Sequence, residues 1–307
     1  MSLEENWDLY KTFYMVAKCS SFSKAAEKLY VTQPSISYSI KQLETNLNTK
    51  LFYRIHSGVK LTIEGKELLD YVERSYNLLI SGERYLKESQ DFTHGRVSVG
   101  VQSHIGKFFL FPLVEKFHKE YPNIEINIIS RNTEQMIEAL ENNNIDFMID
   151  TSPIESIYNN LEIHPLINLE NCFISKNKIA EEMSLKELNN CKLILPVKRS
   201  TPRKQLDYIC EKENLELTPF MTIETTEMLI DAVEKSMGIG YVLRRAVNEE
   251  IRQGKLFEIK LKEKLPTLTL NIVYVSEYLT NIPQTFIAKI KDKYEEYMKW
   301  DHILFLI

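Results

Sequence analysis

No stretch of this 307-residue chain approaches the ~20 consecutive apolar residues that span a bilayer, so a membrane protein is not expected. The first residues are polar and acidic, which does not fit a secretory signal. Cysteine is scarce: Cys19, Cys172, Cys191 and Cys210 lie far apart, with no pair at metal-ligand spacing and no disulfide framework. They read as reduced thiols of a cytoplasmic protein, packed as small buried residues. There is no Walker loop, no G-x-S-x-G and no zinc spacing. Gly238-Ile239-Gly240 lacks the third glycine of a dinucleotide motif and reads as a close approach before a buried strand. Ser103 and His104 are neighbours on one loop without a partnered acid, a poor nucleophile–base pair. Neither an enzyme nor a cofactor is therefore expected. A net charge of −5 also argues against a nucleic-acid binder, until it is divided along the chain.

The division is uneven. Residues 1–60 hold eight Lys/Arg against five acids, a net +3 that leaves −8 for the rest. A basic N-terminal module on an acidic body suits a protein of which one part touches DNA. Within that module, Ser21–Glu44 reads as two short helices around a turn at Tyr30-Val31-Thr32. Ala25, Ala26 and Leu29 share one face of the first; Ile36, Ile40 and Leu43 share one face of the second. Thr32 is an N-cap candidate, and Pro34 is tolerated in a first helical turn. Gln33, Ser35, Ser37, Tyr38 and Lys41 then point outward, and such side chains suit base edges in a major groove. A generic two-helix corner is the alternative. An amphipathic helix from Leu9 to Ala17 would complete a three-helix core.

After Glu44 the chain reads as a β-ribbon turning at Ser57-Gly58, with Arg54 and Lys60 beside the turn. As the wing of a winged helix-turn-helix it would touch phosphates; an unrelated surface hairpin is the alternative. Thr62 caps a helix predicted to run to Gln90, about 28 residues or roughly 40 Å. Its apolar stripe, Leu61, Leu68, Val72, Leu79 and Leu86 with Gly65 and Ser75 in the seam, predicts a homodimer interface rather than a helix lying on its own body.

From Arg96 strands alternate with helices. The first unit holds strands at 97–101, 124–129 and 145–149, with helices at 105–120 and 133–142. Extended segments at 161–174 cross out of it. A second unit of the same rhythm runs from Lys192, with helices at 201–213 and 226–235; a strand at 268–275 and a helix at 281–299 return to the first. This predicts two α/β lobes around a cleft, each with a mostly parallel sheet. The apolar end Ile303–Ile307 is too short for an anchor and is expected to pack on a surface.

These residues resemble the LysR-type transcriptional regulators along almost the whole chain. The most specific part is Phe13, Ser21-Phe22-Ser23, Ala25-Ala26, Leu29, Thr32-Gln33-Pro34-Ser35, Ser37, Ile40 and Leu43-Glu44, followed by Leu51-Phe52, Arg54, Leu61-Thr62 and Gly65. Phe117, Tyr121-Pro122, Ile145-Asp146 and Gly238-Ile239-Gly240 match more loosely. The resemblance implies an α+β multidomain chain: a winged helix-turn-helix (1–61), a dimerising linker helix (62–90) and a two-lobed α/β effector domain like a periplasmic binding protein (91–307). Lobe I would be 91–163 with 266–307, and lobe II 164–265. It also implies dimers or dimers of dimers on AT-rich, partly palindromic double-stranded DNA, RNA polymerase as a further candidate partner, and a small-molecule effector. Ser23 joins the expected DNA contacts through it. Three positions depart from the family pattern: Tyr38 stands where Arg or Lys is common, Ser20-Ser21 where a glycine is common, and Gly65 removes a capping box.

In such a body ligands sit beyond the carboxyl ends of strands, near helix N-termini. The candidate effector residues are Gln102, Ser103, His104, Thr133, Thr151, Ser200, Thr201 and Arg203, from loops that also contain Ser130, Ser152, Lys198 and Arg199. Hydroxyls and free N–H groups at helix starts favour an anion, such as a carboxylate or oxyanion. The plain alternative is that these Ser/Thr residues only cap helices. An enzyme with an appended DNA-binding domain, and a sequence-independent architectural DNA binder, are the competing functions.

Overall fold

Phe13 on α1 (Trp7–Cys19), Ala25 and Ala26 on α2 (Phe22–Leu29), and Ile36, Ile40 and Leu43 on α3 (Gln33–Asn46) close one buried core. The computed structural model describes residues 7–55, 58–90, 94–151, 153–154 and 161–304, with Arg54, residues 89–90 and residues 295–304 described by backbone alone. Ser57, Ser152 and the tail beyond Leu304 lie outside the described residues, as does the side chain of Arg54. The chain divides into two compact units between Arg84 and Tyr85.

In the first unit the two alanines keep the helices close. Left-handed residues end the helices: Ser20 (φ 49°) and Tyr30 (φ 55°). Thr32 accepts from the Ser35 N–H at 3.4 Å, and Pro34 sits in the first turn of α3. Strands β1 (Phe52–Ile55) and β2 (Gly58–Leu61) pair antiparallel, Ile55 opposite Gly58. Gly58 has φ 136°, and a Cβ there would lie 2.5 Å from the Ser20 carbonyl oxygen. The Val59 N–H donates to that oxygen at 3.1 Å, which stitches the ribbon to the α1–α2 turn. Glu44 ties α3 to the ribbon by accepting from the Leu51 N–H at 2.9 Å.

The long helix α4 spans Ile63–Gln90. Thr62 caps it, accepting from the Gly65 N–H at 2.8 Å. Its apolar stripe is not one seam. Leu61, Leu68 and Val72 pack into the helix-turn-helix core, whereas Leu79 and Leu86 are exposed. Gly65 likewise serves the core, since a Cβ there would lie 2.2 Å from the Leu51 carbonyl oxygen. The heptad spacing is the same at both ends of the stripe, but only its first turns meet their own domain. Gly65→Ala is therefore expected to lower stability by about 1–3 kcal/mol in urea unfolding, although alanine is intrinsically better in a helix by about 1 kcal/mol. A stabilised variant would show that the backbone there is free to move.

The second unit is built on one nine-stranded sheet, ordered β4-β3-β5-β11-β6-β9-β7-β8, with β10 also on β6. Its first half takes β3 (Gly95–Val101), β4 (Ile124–Ile129), β5 (Phe147–Thr151) and β11 (Thr267–Val275); its second half takes β7 (Leu193–Pro196), β8 (Met221–Ile223), β9 (Ile239–Leu243) and β10 (Phe257–Ile259). Around it lie α5 (Ser103–Ile105), α6 (Phe111–Glu120), α7 (Thr133–Glu141), α8 (Leu185–Leu188), α9 (Thr201–Lys212), α10 (Thr226–Glu234), α11 (Asn248–Arg252) and α12 (Asn281–Leu304). A π-helical turn, Gly106–Leu110, precedes Pro112 of α6, a residue with no N–H to give a regular turn.

The expected mostly parallel sheets are only half parallel. β3 is parallel to β4 and β5, and β7 to β8 and β9. β11 and β6 run antiparallel to their neighbours because they carry the chain between the halves. The strand β6 (Leu161–Ser175) belongs to both: it pairs with β11 as far as Glu170, and with β9 from Asn171. This exchange falls further along the strand than the expected lobe boundary at 163/164. The buried Asn171 amide donates to the Pro266 carbonyl at 3.1 Å, pinning β6 to the other crossing segment. The helix α8 was not expected; a capping box between Ser184 and Glu187 holds it.

Candidate functional site

Two surfaces carry the residues singled out from sequence. On the first unit, Gln33, Pro34, Ser35, Tyr38 and Lys41 are exposed along one side of α3, with Ser37 half-buried among them. The Gln33 amide donates to the Ser37 hydroxyl at 3.0 Å. The Thr32 and Ser35 hydroxyls lie 2.9 Å apart. Ser23 is exposed on α2 and Lys60 on the ribbon. Tyr30, a turn residue by its sequence, is 96% exposed at the left-handed turn before α3. A φ of 55° has no marker in the sequence at a tyrosine.

On the second unit, a cavity of about 170 Å³ opens between the two halves of the sheet, at the carboxyl ends of β3, β5 and β7 and beside β9. Of the candidate effector residues, Gln102, His104, Thr133, Thr151, Ser200 and Thr201 line it. Ser103 and Arg203 do not. The Ser103 hydroxyl is 3.0 Å from that of Ser130. Arg203 is buried, donating to Asp207 at 2.6 Å and to the Pro196 carbonyl at 3.3 Å. It shares its helix face with Leu206 and Cys210, which turns it into the core. Lys204 and Arg199 line the cavity instead, Arg199 paired with Glu224. Arg203→Ala is thus expected to destabilise the second unit by about 2–4 kcal/mol in urea unfolding, while Lys204→Ala leaves stability near the parent value. Equal stability of the two variants would restore Arg203 as a ligand group.

The residue missed beneath the cavity is Asp150. Fully buried, it accepts from the Gln102 amide at 3.0 Å, the Thr133 hydroxyl at 2.6 Å and the Thr151 N–H at 2.8 Å. Burial pushes its carboxyl pKa up, against the pull of those three donors. Three expected ligand residues are therefore held by an internal acid. Burial also pushes the His104 pKa down to about 4, so its imidazole is neutral at pH 7.

The helix starts around the cavity differ. α7 is capped by Asn132 and has Glu134 in its first turn; α10 is capped by Thr225 and has Glu227. α9 has no acid in its first turn, and Ser200 makes no side-chain cap. Among the described residues the buried Ser200 hydroxyl has no hydrogen-bond partner, and neither does that of Tyr241, a fully buried residue that lines the same cavity. Tyr241 was missed because it lies mid-strand in an apolar run. Among the described residues no group of His, Cys, Asp and Glu could hold a metal ion, and no helix is long and apolar enough to cross a membrane.

Comparison with known proteins covers both units of the chain. The profile of the bacterial regulatory helix-turn-helix protein of the lysR family matches residues 7–66, and that of the LysR substrate binding domain matches residues 90–295. The chain is 26% identical to the HTH-type transcriptional regulator CysL of Bacillus subtilis over 297 residues, covering 94% of this chain and 98% of that one. Full-length OxyR from Pseudomonas aeruginosa shares the fold with a TM-score of 0.66 at 20% identity, over 92% of this chain and 93% of its own. The regulatory domain of CcmR from Synechocystis, solved in complex with 2-PG, matches 66% of this chain and 98% of its own, with a TM-score of 0.59 and 21% identity. With relatives named as transcriptional regulators and both of its domains matched, the chain belongs to the LysR family: it is a DNA-binding transcriptional regulator with an effector-binding domain, not an enzyme.

Proposed function

We propose that this regulator answers to a small anion bound in the cavity of its second unit. The observation that carries the reading is the start of α9, uncapped and free of acids, beside the unpartnered hydroxyls of Ser200 and Tyr241. The first-turn N–H groups of Thr201 and Arg203 have no acceptor within the helix, and the helix dipole adds positive potential there. Bonds from them and from the two hydroxyls would replace the water of a carboxylate or oxyanion. The anionic 2-PG held by the related CcmR domain supports the same class. Peroxide sensing is the second reading that a likeness to OxyR invites. It gains nothing from Cys172 and Cys210, whose thiols burial pushes up in pKa, to about 11 for Cys210, away from the reactive thiolate.

DNA would be read by α3 in the major groove, with Gln33, Ser35, Ser37, Tyr38 and Lys41 facing base edges. Thr32, Pro34 and Ser23 would lie at its approach, and Arg54 and Lys60 of the ribbon would hold phosphates. A second copy would pair through the exposed apolar residues of α4, among them Leu78, Leu79 and Leu86. Such a dimer, alone or doubled, suits a partly palindromic, AT-rich site and a contact with RNA polymerase.

The test is thermal-shift screening of the full-length protein with organic anions, oxyanions and neutral or cationic compounds. Stabilisation by anions is expected. Stabilisation by neutral or cationic compounds alone would sink the reading.

A further inference from the structure

The charges on the cavity wall sort by side. Arg199 and Glu224 neutralise each other. Two other charged residues line the cavity, and neither has an ion-pair partner among the described residues: Glu134 from the first half of the sheet and Lys204 from the second. Lys204 sits in the opening turns of α9, on the side of the two unpartnered hydroxyls. Glu134 sits in the first turn of α7, on the side of Asp150.

The first wall has little to give an anion. Asp150 already engages the Gln102 amide, the Thr133 hydroxyl and the Thr151 N–H. The start of α7 is capped, its Gln135 N–H donating to Asn132 at 2.9 Å. His104 brings no charge at neutral pH. A dianion would press its second charge against Glu134, with the Asp150 carboxyl behind it. A monoanion with a cationic group at its other end would find a complement on both walls.

We propose that the effector is a zwitterion of the amino-acid type, its carboxylate at the start of α9 beside Lys204 and its ammonium facing Glu134. The proposal rests on the reading of α9 as the anion subsite and adds the requirement for a cation at the opposite wall. Both residues line the same cavity of about 170 Å³. Glu134 is exposed on its helix, so its substitution leaves the core untouched.

The experiment is isothermal calorimetry of the full-length protein at pH 7 with matched series: common α-amino acids, the 2-hydroxy acids with the same side chains, dicarboxylates of similar length, and amino-acid amides that keep the ammonium and lose the carboxylate. At least one amino acid is expected to bind, with its 2-hydroxy counterpart weaker by roughly ten- to a hundredfold, the range of one charge-assisted hydrogen bond. In Glu134→Gln that preference is expected to disappear while binding of the 2-hydroxy acid is kept. A 2-hydroxy acid or dicarboxylate that binds as tightly as any amino acid overturns the zwitterion and leaves the anion subsite standing. An amide that binds as tightly as its amino acid overturns the anion subsite as well, and so does a complete series without binding. A Glu134→Gln protein that keeps the full preference removes Glu134 from the proposal.

Discussion

Asp150→Ala is expected to cost the second unit about 3 kcal/mol, whereas Asp150→Asn leaves it at or slightly above the parent stability at neutral pH. The alanine strands the Gln102 amide, the Thr133 hydroxyl and the Thr151 N–H around an empty space. An unsatisfied buried donor costs about 1–3 kcal/mol, and the Thr133 hydroxyl can turn to water in the cavity, which keeps the total near the lower end. The asparagine keeps the shape and one oxygen for Gln102 and Thr151. Its amide can donate to Thr133, a hydroxyl that also accepts. What it removes is a carboxyl whose charged form burial disfavours.

The pH dependence carries the same test. The folded-state pKa of Asp150 is raised above its unfolded value by burial. The folded state therefore binds the proton more tightly, and this contribution to stability is full below about pH 4 and is lost as the pH rises through the folded value. Urea unfolding of parent and Asp150→Asn from acid to neutral pH should show the variant gaining on the parent as the pH rises. Parallel stability curves would mean that the carboxyl titrates alike folded and unfolded, against the burial seen here.

The second large effect belongs to α3. Gln33→Ala with Ser37→Ala is expected to reduce affinity for the target site roughly a hundredfold, from about 1–3 kcal/mol for each good base-edge contact. The two side chains bond each other at 3.0 Å, so the double change should cost less than the sum of the single ones. Binding to unrelated DNA should hold. Lys60→Ala should do the reverse, weakening all sequences about equally and lowering the salt slope by about one. Gel-shift titration on both kinds of DNA at two salt concentrations separates these outcomes. Altered sequence preference in Lys60→Ala would take the ribbon off the phosphates.

The first unit was legible in the sequence because its signals are local. Thr32, Pro34 and the spacing of Ile36, Ile40 and Leu43 each bear on the turn in which they sit. Cavity loops were equally legible, since helix starts announce themselves through Ser and Thr. Asp150 was not: its side-chain partners Thr133 and Gln102 lie 17 and 48 positions away, and only the sheet brings them together. The case of Arg203 is different, because its spacing to Leu206 and Cys210 is that of a buried helix face and outweighs the appeal of a cation beside a serine. In α4 one heptad stripe serves two environments. Spacing reports which residues share a side, not what covers it.

The exchange of partners on β6 has a mechanical side. Bending the strand between Glu170 and Asn171 would break neither ladder, because each ladder ends there. The angle between the halves of the sheet is therefore soft, while each half stays stiff. The Asn171–Pro266 bond clasps the two crossing segments side by side, like paired leaves of one hinge. Two strands side by side bend easily about the crease they share and resist twisting about the strand direction. Closure on a ligand would then follow one defined path, with hydrogen-exchange protection kept along β6 on both sides of the crease.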